Sequence, residues 1–319
     1  MKIIKRNPIY PDINPAEYNT NNLYAYDPYT IVNDQIIIDT CWWDSLTEYI
    51  QELIKSRLGD NGFIINNIMI KTNETIDTNK QLNHIYQAYL DGFDYNIWYD
   101  SNVYRHPDGV KMIEITSTDK LLLINQDIKS LVNLCQKIKD VMEPNIKYFV
   151  RLSGTSGKNE VSPKPFNSST DIIKHLTKVH TFVTREYKRD KPTYIILIPW
   201  NDIISYKNEF RIFVVDNQLT SASPQRWWEL NQHTQEELES IETSLFNLDI
   251  VNDFKAPYNT FVADVYIDFN TNICYLIELN PFGAHCGAGS SLFNWEKDYD
   301  QLYGNTDHIE LRYLSIINY

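Results

Sequence analysis

The run FVADVYIDFNTNICYLIELN, residues 261–280, sets acids inside strands that are otherwise apolar. Side chains alternate along a strand, so Glu278 and Asn280 share one face while Ile277 and Leu279 take the other. By the same parity Asp264 shares a face with Tyr266 and Asp268. A three-residue loop of Asn270, Thr271 and Asn272, with an Asn in the left-handed conformation, sets Asp264 directly opposite Glu278. Asn280 then becomes its diagonal neighbour. Facing carboxylates repel unless a positive charge lies between them, and a hard cation such as Mg2+ takes oxygen donors of this kind. The competing reading is an edge strand that turns one carboxylate to water.

Further cationic and apolar groups extend this set. In NEFRIFV, Glu209 and Arg211 share a face, and Phe210 and Ile212 occupy the other. Alone, such a pair reads as a cross-strand ion pair. Beside a metal and phosphate, Arg211 can clamp phosphate through its planar fork, and Glu209 can hold a ribose hydroxyl or orient the arginine. In VRLSGTSGK, Arg151 ends a strand and Lys158 sits in a glycine loop, an arrangement suited to polyphosphate. The apolar strand IILIPW offers an adenine slot around Ile198 and Trp200. Together these residues match an ATP site without a Walker motif.

Other chemistries fit less well. GTSGKNE has two residues between its glycines where a P-loop needs four, and Asn159 follows its lysine. GAHCGAG lacks the GxGxxG spacing. No histidine pair has HExxH spacing, and His175 and His180 are five residues apart on an expected helix. His285 and Cys286 adjoin a glycine loop, but a buried cysteine beside a loop explains them more simply than a nucleophile pair. A metal-dependent nuclease reading of Asp264 and Glu278 founders on Asn280, which stands where a lysine is needed. The Trp pairs of WWDSL and RWWEL read as core or partner-facing aromatics.

Length and composition bound the rest. The chain has 319 residues, enough for one large domain or two packed ones, and 43% apolar residues can build a core. A net charge of −13 argues against gripping nucleic acid and suits a basic protein partner or a cation-neutralised anion. The four cysteines, Cys41, Cys135, Cys274 and Cys286, have no metal-ligand spacing and read as free thiols of a reducing compartment. No apolar stretch approaches the ~20 residues of a membrane span, and the N-terminal residues carry no signal-peptide core, so a cytoplasmic location is expected. Glycine is scarce, ten in all, yet Gly154 and Gly157 share one loop and Gly283, Gly287 and Gly289 another. That clustering points to positive φ or close approach to a ligand, with tight turns as the plainer explanation.

These residues need a scaffold of strands and helices. QIIIDT, FIINNIMI, YNIWYD, GVKMIEI and KLLLIN read as strands, and DSLTEYIQELIKSRLGDNG and SLVNLCQKIKDVMEP as helices. Further on, KYFVRLS and TYIILIPW read as strands, and SSTDIIKHLTKVHTFVTREY as a helix capped by Ser169 or Thr170. NEFRIFVVDNQLTSASPQ and FVADVYIDFNTNICYLIELN predict two β-hairpins joined by the helix TQEELESIETSLFNL.

In this order and spacing, YFVRLSGTSGKNE, SSTDIIKHL, NEFRIFVVDNQLTSASPQR, FVADVYID, YLIELNPFG and SLFNWEKDYDQLYG resemble the cell division cycle protein 123 family of the ATP-grasp superfamily. The likeness covers residues 148–304, with SGKN where the family has SPKD and Glu278 where Asp is usual. It implies an α+β, ATP-grasp-like fold of antiparallel sheets with ATP held between two subdomains. Residues 1–145 would form an N-terminal α+β region supplying the first subdomain, and residues 146–319 the nucleotide- and Mg2+-binding core, with a soft boundary. Asp264, Glu278 and Asn280 then resemble Mg2+ ligands, and Arg151, Lys158, Glu209 and Arg211 ATP contacts. The implied role is ATP-dependent assembly of translation initiation factor 2 through its gamma subunit. The alternative is an ATP-dependent ligase or phosphoryl-transfer enzyme acting on a protein or small carboxylate, on the same site.

Overall fold

The computed structural model describes residues 2–6, 29–32, 35–38, 60–65, 68–72, 90–99, 109–155, 164–178, 186–189, 191–227, 232–254, 256–283, 288–295 and 297–314. Up to residue 72 only the backbone is described. Two compact units emerge: Met1–Phe93 with Ile203–Tyr319, and Asp94–Asp202. The architecture is α+β with mainly antiparallel sheets, as the sequence implies. No described helix is long and apolar enough to cross a membrane.

The first unit holds two sheets. β2 (Tyr29–Val32), β3 (Gln35–Ile38), β4 (Asp60–Ile65) and β5 (Ile68–Thr72) form one, in sequential order. FIINNIMI therefore holds parts of a hairpin, and Asp60 to Gly62, expected at a helix end, belong to a strand. The body of that helix, residues 44–59, lies outside the described residues.

The second sheet runs β1 (Lys2–Arg6), β13 (Glu310–Leu314), β10 (Gln218–Pro224), β9 (Glu209–Val215), β11 (Phe261–Asp268) and β12 (Ile273–Asn280). Both expected hairpins are present. The first turns through Asp216 and Asn217, both at positive φ (49° and 62°), the geometry that lets a two-residue turn follow strand twist. One sheet face is apolar: Phe210, Ile212, Ala263, Val265, Ile267 and Leu276 are buried, and the Phe254 and Phe261 rings meet at 6.1 Å. The helix Gln235–Phe246 begins at a capping box in which Thr234 accepts from Glu237 N while Glu237 reaches back to Thr234 N.

The other unit carries β6 (Lys111–Ile115), β7 (Tyr148–Leu152) and β8 (Thr193–Pro199) in the antiparallel order β6-β8-β7. Ile113, Ile115, Val150, Leu152, Ile195 and Leu197 bury one face together with Leu134, Ile138, Ile172 and Ile173 of the helices Val132–Val141 and Ser169–Leu176.

Three local expectations are corrected here. YNIWYD is not a strand: Tyr95–Trp98 is a short helix whose first N–H, that of Tyr95, donates to Ser153 O at 2.8 Å. KLLLIN is not a strand either, because Thr116 and Asp119 form a capping box that starts the helix Ser117–Ile124. A short apolar run does not distinguish the two states, and the cap decides. The third helix begins after Ser168, so neither Ser169 nor Thr170 is its N-cap, and it ends at Leu176. There Thr177 Oγ1 donates to Ile173 O at 3.0 Å and Tyr187 Oη to Leu176 O at 3.1 Å. Residues 179–185 of the expected helix lie outside the described residues.

A buried ion cluster fixes the root of the glycine loop. Arg189 Nη1 lies 3.0 Å from Asp94 Oδ1 and 2.6 Å from Glu186 Oε2, and Lys191 also pairs with Asp94. Gly154 N donates to Glu186 Oε1 at 3.2 Å. Burial holds the Glu186 carboxyl above its usual range, against the pull of Arg189. A Cβ at Gly154 would meet Arg189 Nη1 at 2.4 Å, Glu186 Oε2 at 2.7 Å and Asp94 Oδ1 at 2.9 Å. The close approach inferred from this glycine is to the protein's own charges. Gly154→Ala is expected to cost roughly 1–3 kcal/mol, the usual price of overpacking, read from urea unfolding midpoints.

A second expectation concerns pH. The His233 side chain is 1% exposed and packs against the rings of Phe210, Phe269 and Tyr313. Burial lowers its pKa despite the nearby Glu237 carboxylate. An unfolded chain therefore takes up this proton first as pH falls, so stability drops below about pH 6.5 towards the lower folded value. Unfolding at pH 7.5 and 5.5 should show a smaller acid loss in His233→Phe than in the parent.

Candidate functional site

The face of the β13-β10-β9-β11-β12 sheet opposite the one on which Phe254 packs carries the site. Pairing places Arg211 opposite Asp264 and Asp264 opposite Glu278, so these three side chains form a row across β9, β11 and β12. Ser223 of β10 extends it on the other side of Arg211. Asn280 is opposite Val262, one step diagonal from Asp264, and Glu209 is opposite Tyr266 in the adjacent row. The Tyr266 ring stacks on Tyr275 at 4.7 Å with an 11° interplanar angle.

The route to this register differs from the expected one. The turn holds four residues, Phe269 to Asn272, because Asp268 pairs with Ile273; Asn272 is left-handed at φ 56°. A bulge at Ile277, where Val265 pairs with Leu276 but Asp264 with Glu278, restores the acid opposition.

The electrostatics also differ. Arg211 Nε donates to Asp264 Oδ1 at 2.8 Å and Nη2 to Asp264 Oδ2 at 2.9 Å, a two-pronged pair in which the Asp264 side chain is only 2% exposed. Arg211 Nη1 donates to Gly289 O at 2.9 Å. Asp264 thus already has a counter-charge. Glu278 is half-buried on the last strand of the sheet.

Phe282, Phe293, Trp295, Leu302 and Tyr303 cover the neighbouring row. Phe213 and Val262 sit under Phe282, Phe293 and Trp295, with Phe213–Phe293 and Phe213–Trp295 edge contacts at 5.7 and 5.6 Å. Gly283, three residues beyond the end of β12, has φ 112°, a conformation that favours glycine. Sequence reasoning missed the second anchor. Arg312, buried on β13, pairs with Asp298 at 2.7 and 2.8 Å and with Glu310, donates to Leu292 O at 3.2 Å, and lies 4.1 Å above the Phe293 ring. The available signal was the repeat of Glu209-x-Arg211 in Glu310-x-Arg312.

The remaining ATP-contact candidates, Arg151, Lys158, Ile198 and Trp200, belong to the other unit. Arg151 is buried, with Nε donating to Leu152 O at 3.3 Å and its guanidinium 4.8 Å above the Tyr95 ring. Pairing puts Arg151 beside Ile196 and Phe149 beside Ile198, on the face away from the Leu197 core. Ile198 is buried; Trp200 is half-buried and donates through Nε1 to Asp202 at 2.7 Å. Lys158, Gly157, Gly287, His285, Cys286, Cys41, the WWDSL run and Trp228 lie outside the described residues. Trp227 is core, packed with Leu292 and Leu314, and Cys135 and Cys274 are free thiols.

Among the described residues no group of three His, Cys, Asp or Glu side chains is arranged to hold a metal. The donor set nevertheless suits a hard cation through two carboxylates and an amide oxygen. Asn280 Nδ2 is buried without a hydrogen-bond partner, and turning the amide over would present its oxygen instead. Because Asp264 is paired, removing it does more than relieve repulsion with Glu278, as facing acids alone would suggest. Asp264→Ala strands Arg211 and should cost about 3–5 kcal/mol in urea unfolding, whereas Glu278→Ala should stay within about 1 kcal/mol of the parent.

Comparison with known proteins bears on the fold and the family resemblance. A family model described as D123 matches residues 165–318. A CDC123-like protein of Acanthamoeba polyphaga mimivirus is 24% identical, over 91% of this chain and 92% of its own. A translation initiation factor eIF2 assembly protein of Danio rerio is 31% identical over 41% of this chain, an alignment spanning 37% of that protein. The solved structure of Cdc123 from Schizosaccharomyces pombe superposes with a TM-score of 0.57 at 17% identity, covering 72% of this chain and 98% of that one, which shows a shared fold. With the matched segment, a relative aligned over nearly the whole length and this common fold, the chain resembles the D123 family, that of cell division cycle protein 123, most directly over residues 165–318.

Proposed function

We propose that the chain binds ATP with Mg2+ on the β9-β11-β12 face and uses that complex, in the cytoplasm, to assemble translation initiation factor 2 through its gamma subunit. The observation that carries this reading is the single row of Arg211, Asp264 and Glu278, flanked by the unpartnered amide of Asn280. Asp264, Glu278 and Asn280 would hold the cation. Arg211 would offer its planar fork to phosphate, and Glu209, one row away, a ribose hydroxyl. The cation would supply neutralisation of phosphate charge. Supporting the assembly role are the match of residues 165–318 to the D123 family model and the relatives named as eIF2 assembly proteins. The net charge of −13 suits a basic protein surface.

Calorimetry with ATP and Mg2+ tests the site. The parent should bind, and Glu278→Ala should lose at least ~10-fold in affinity, about 1.4 kcal/mol, while remaining folded. Equal affinity in both would count against the site. The gamma subunit should be retained by the immobilised chain in an ATP-dependent manner, and retention indifferent to ATP would remove the nucleotide from the assembly step.

A further inference from the structure

Both oxygens of Asp264 accept hydrogen bonds from one guanidinium, that of Arg211, in a pair almost closed to water. This fork occupies the side chain that the nucleotide reading assigns to the cation. A guanidinium stays protonated at any accessible pH, so the conflict with an incoming cation cannot be relieved by titration. A divalent ion reaching Asp264 by itself must stand beside a fixed positive charge, in surroundings that screen weakly. An anion changes the balance. Nε and Nη2 of Arg211, released from Asp264, then find oxygens of matching geometry on a phosphate. The third contact, Nη1 to Gly289 O, goes to a neutral carbonyl and keeps the guanidinium beside the row.

Building on the nucleotide reading, we propose that Arg211 makes cation and polyphosphate binding mutually dependent. It opposes a divalent ion that arrives alone and admits one that arrives with an anion to draw the guanidinium off Asp264. Arg211 is then a gate on the order of assembly of the site as well as a phosphate clamp, and the linkage is reciprocal.

Equilibrium dialysis of the full chain measures this, using Mn2+ alone, ATP with chelator, and Mn2+ with ATP equal on both sides. The parent is expected to hold Mn2+ at least ~10-fold more tightly with ATP than without, a difference of about 1.4 kcal/mol. Arg211→Gln, checked for folding by circular dichroism, should close that gap by binding Mn2+ alone more tightly than the parent does. Arg211→Lys keeps the charge and should keep the exclusion, and it decides the matter with the parent if Arg211→Gln does not fold. Equal retention of Mn2+ by the parent with and without ATP would overturn the proposal and leave the nucleotide site standing. So would an unchanged gap in folded Arg211→Gln. Failure of the parent to hold Mn2+ and ATP together would instead overturn the nucleotide reading, and this inference with it.

Discussion

The pair between Arg211 and Asp264 governs the polar face of the large sheet. A carboxylate with 2% of its side chain exposed is tolerable only if its charge is answered, and a guanidinium fork with two aligned N–H donors answers it. The pair works because β9 and β11 are direct neighbours in a register that sets residues 211 and 264 across from each other. Rigid central strands hold both side chains, so the site's central charge needs no loop to position it. The aromatic cover over Phe213 and Val262 keeps water from the adjoining row, which lowers local screening and strengthens the attraction.

The same device appears twice on this sheet. Arg312 is held by Asp298 and Glu310 while donating to Leu292 O, as Arg211 is held by Asp264 while donating to Gly289 O. Each arginine therefore ties a strand to the covering segment through one backbone carbonyl. Leu292 N also donates to Ser223 Oγ at 3.4 Å, on the strand between β13 and β9. Gly289, Leu292 and Asp298 are thus each tied to the sheet. A charge change at Asp264 acts on a guanidinium that also holds Gly289 O.

Much of this was legible because parity is a strong constraint. Strand alternation put Glu278 with Asn280 on one face and Glu209 with Arg211 on another strand's face, and pairing brings both pairs to the face of Asp264. Short segments were less legible. YNIW and LLLI carry no period long enough to tell helix from strand, and their state follows from Ser153 O and from the Thr116–Asp119 box. Charge partners were illegible for another reason. Arg211 and Asp264 are 53 positions apart, and Arg189 and Asp94 are 95 apart, so nothing local announces either pair. Glycine scarcity was a fair pointer to tight places, but at Gly154 the tightness comes from Glu186 and Arg189.

The bulge at Ile277 shows how narrowly the acid pair is specified. From Asp268 to Val265 the hairpin keeps the register set by a four-residue turn, with Tyr266 opposite Tyr275 and Val265 opposite Leu276. Carried on unbroken, that register would set Glu278 opposite Ala263, whose face is the apolar core packed by Ile212 and Val265. A carboxylate there would be buried without a partner, at a cost no hairpin of this size can offset. One extra residue restores parity: Glu278 comes to lie beside Asp264, while Leu279 joins Leu276 in the core at 2% and 1% exposure. The four-residue turn and the bulge offset each other, so a three-residue loop without a bulge leads to the same opposition of Asp264 and Glu278. With the four-residue turn, that opposition holds only while the bulge is present, which makes Ile277 as much a determinant of the site as the acids it aligns.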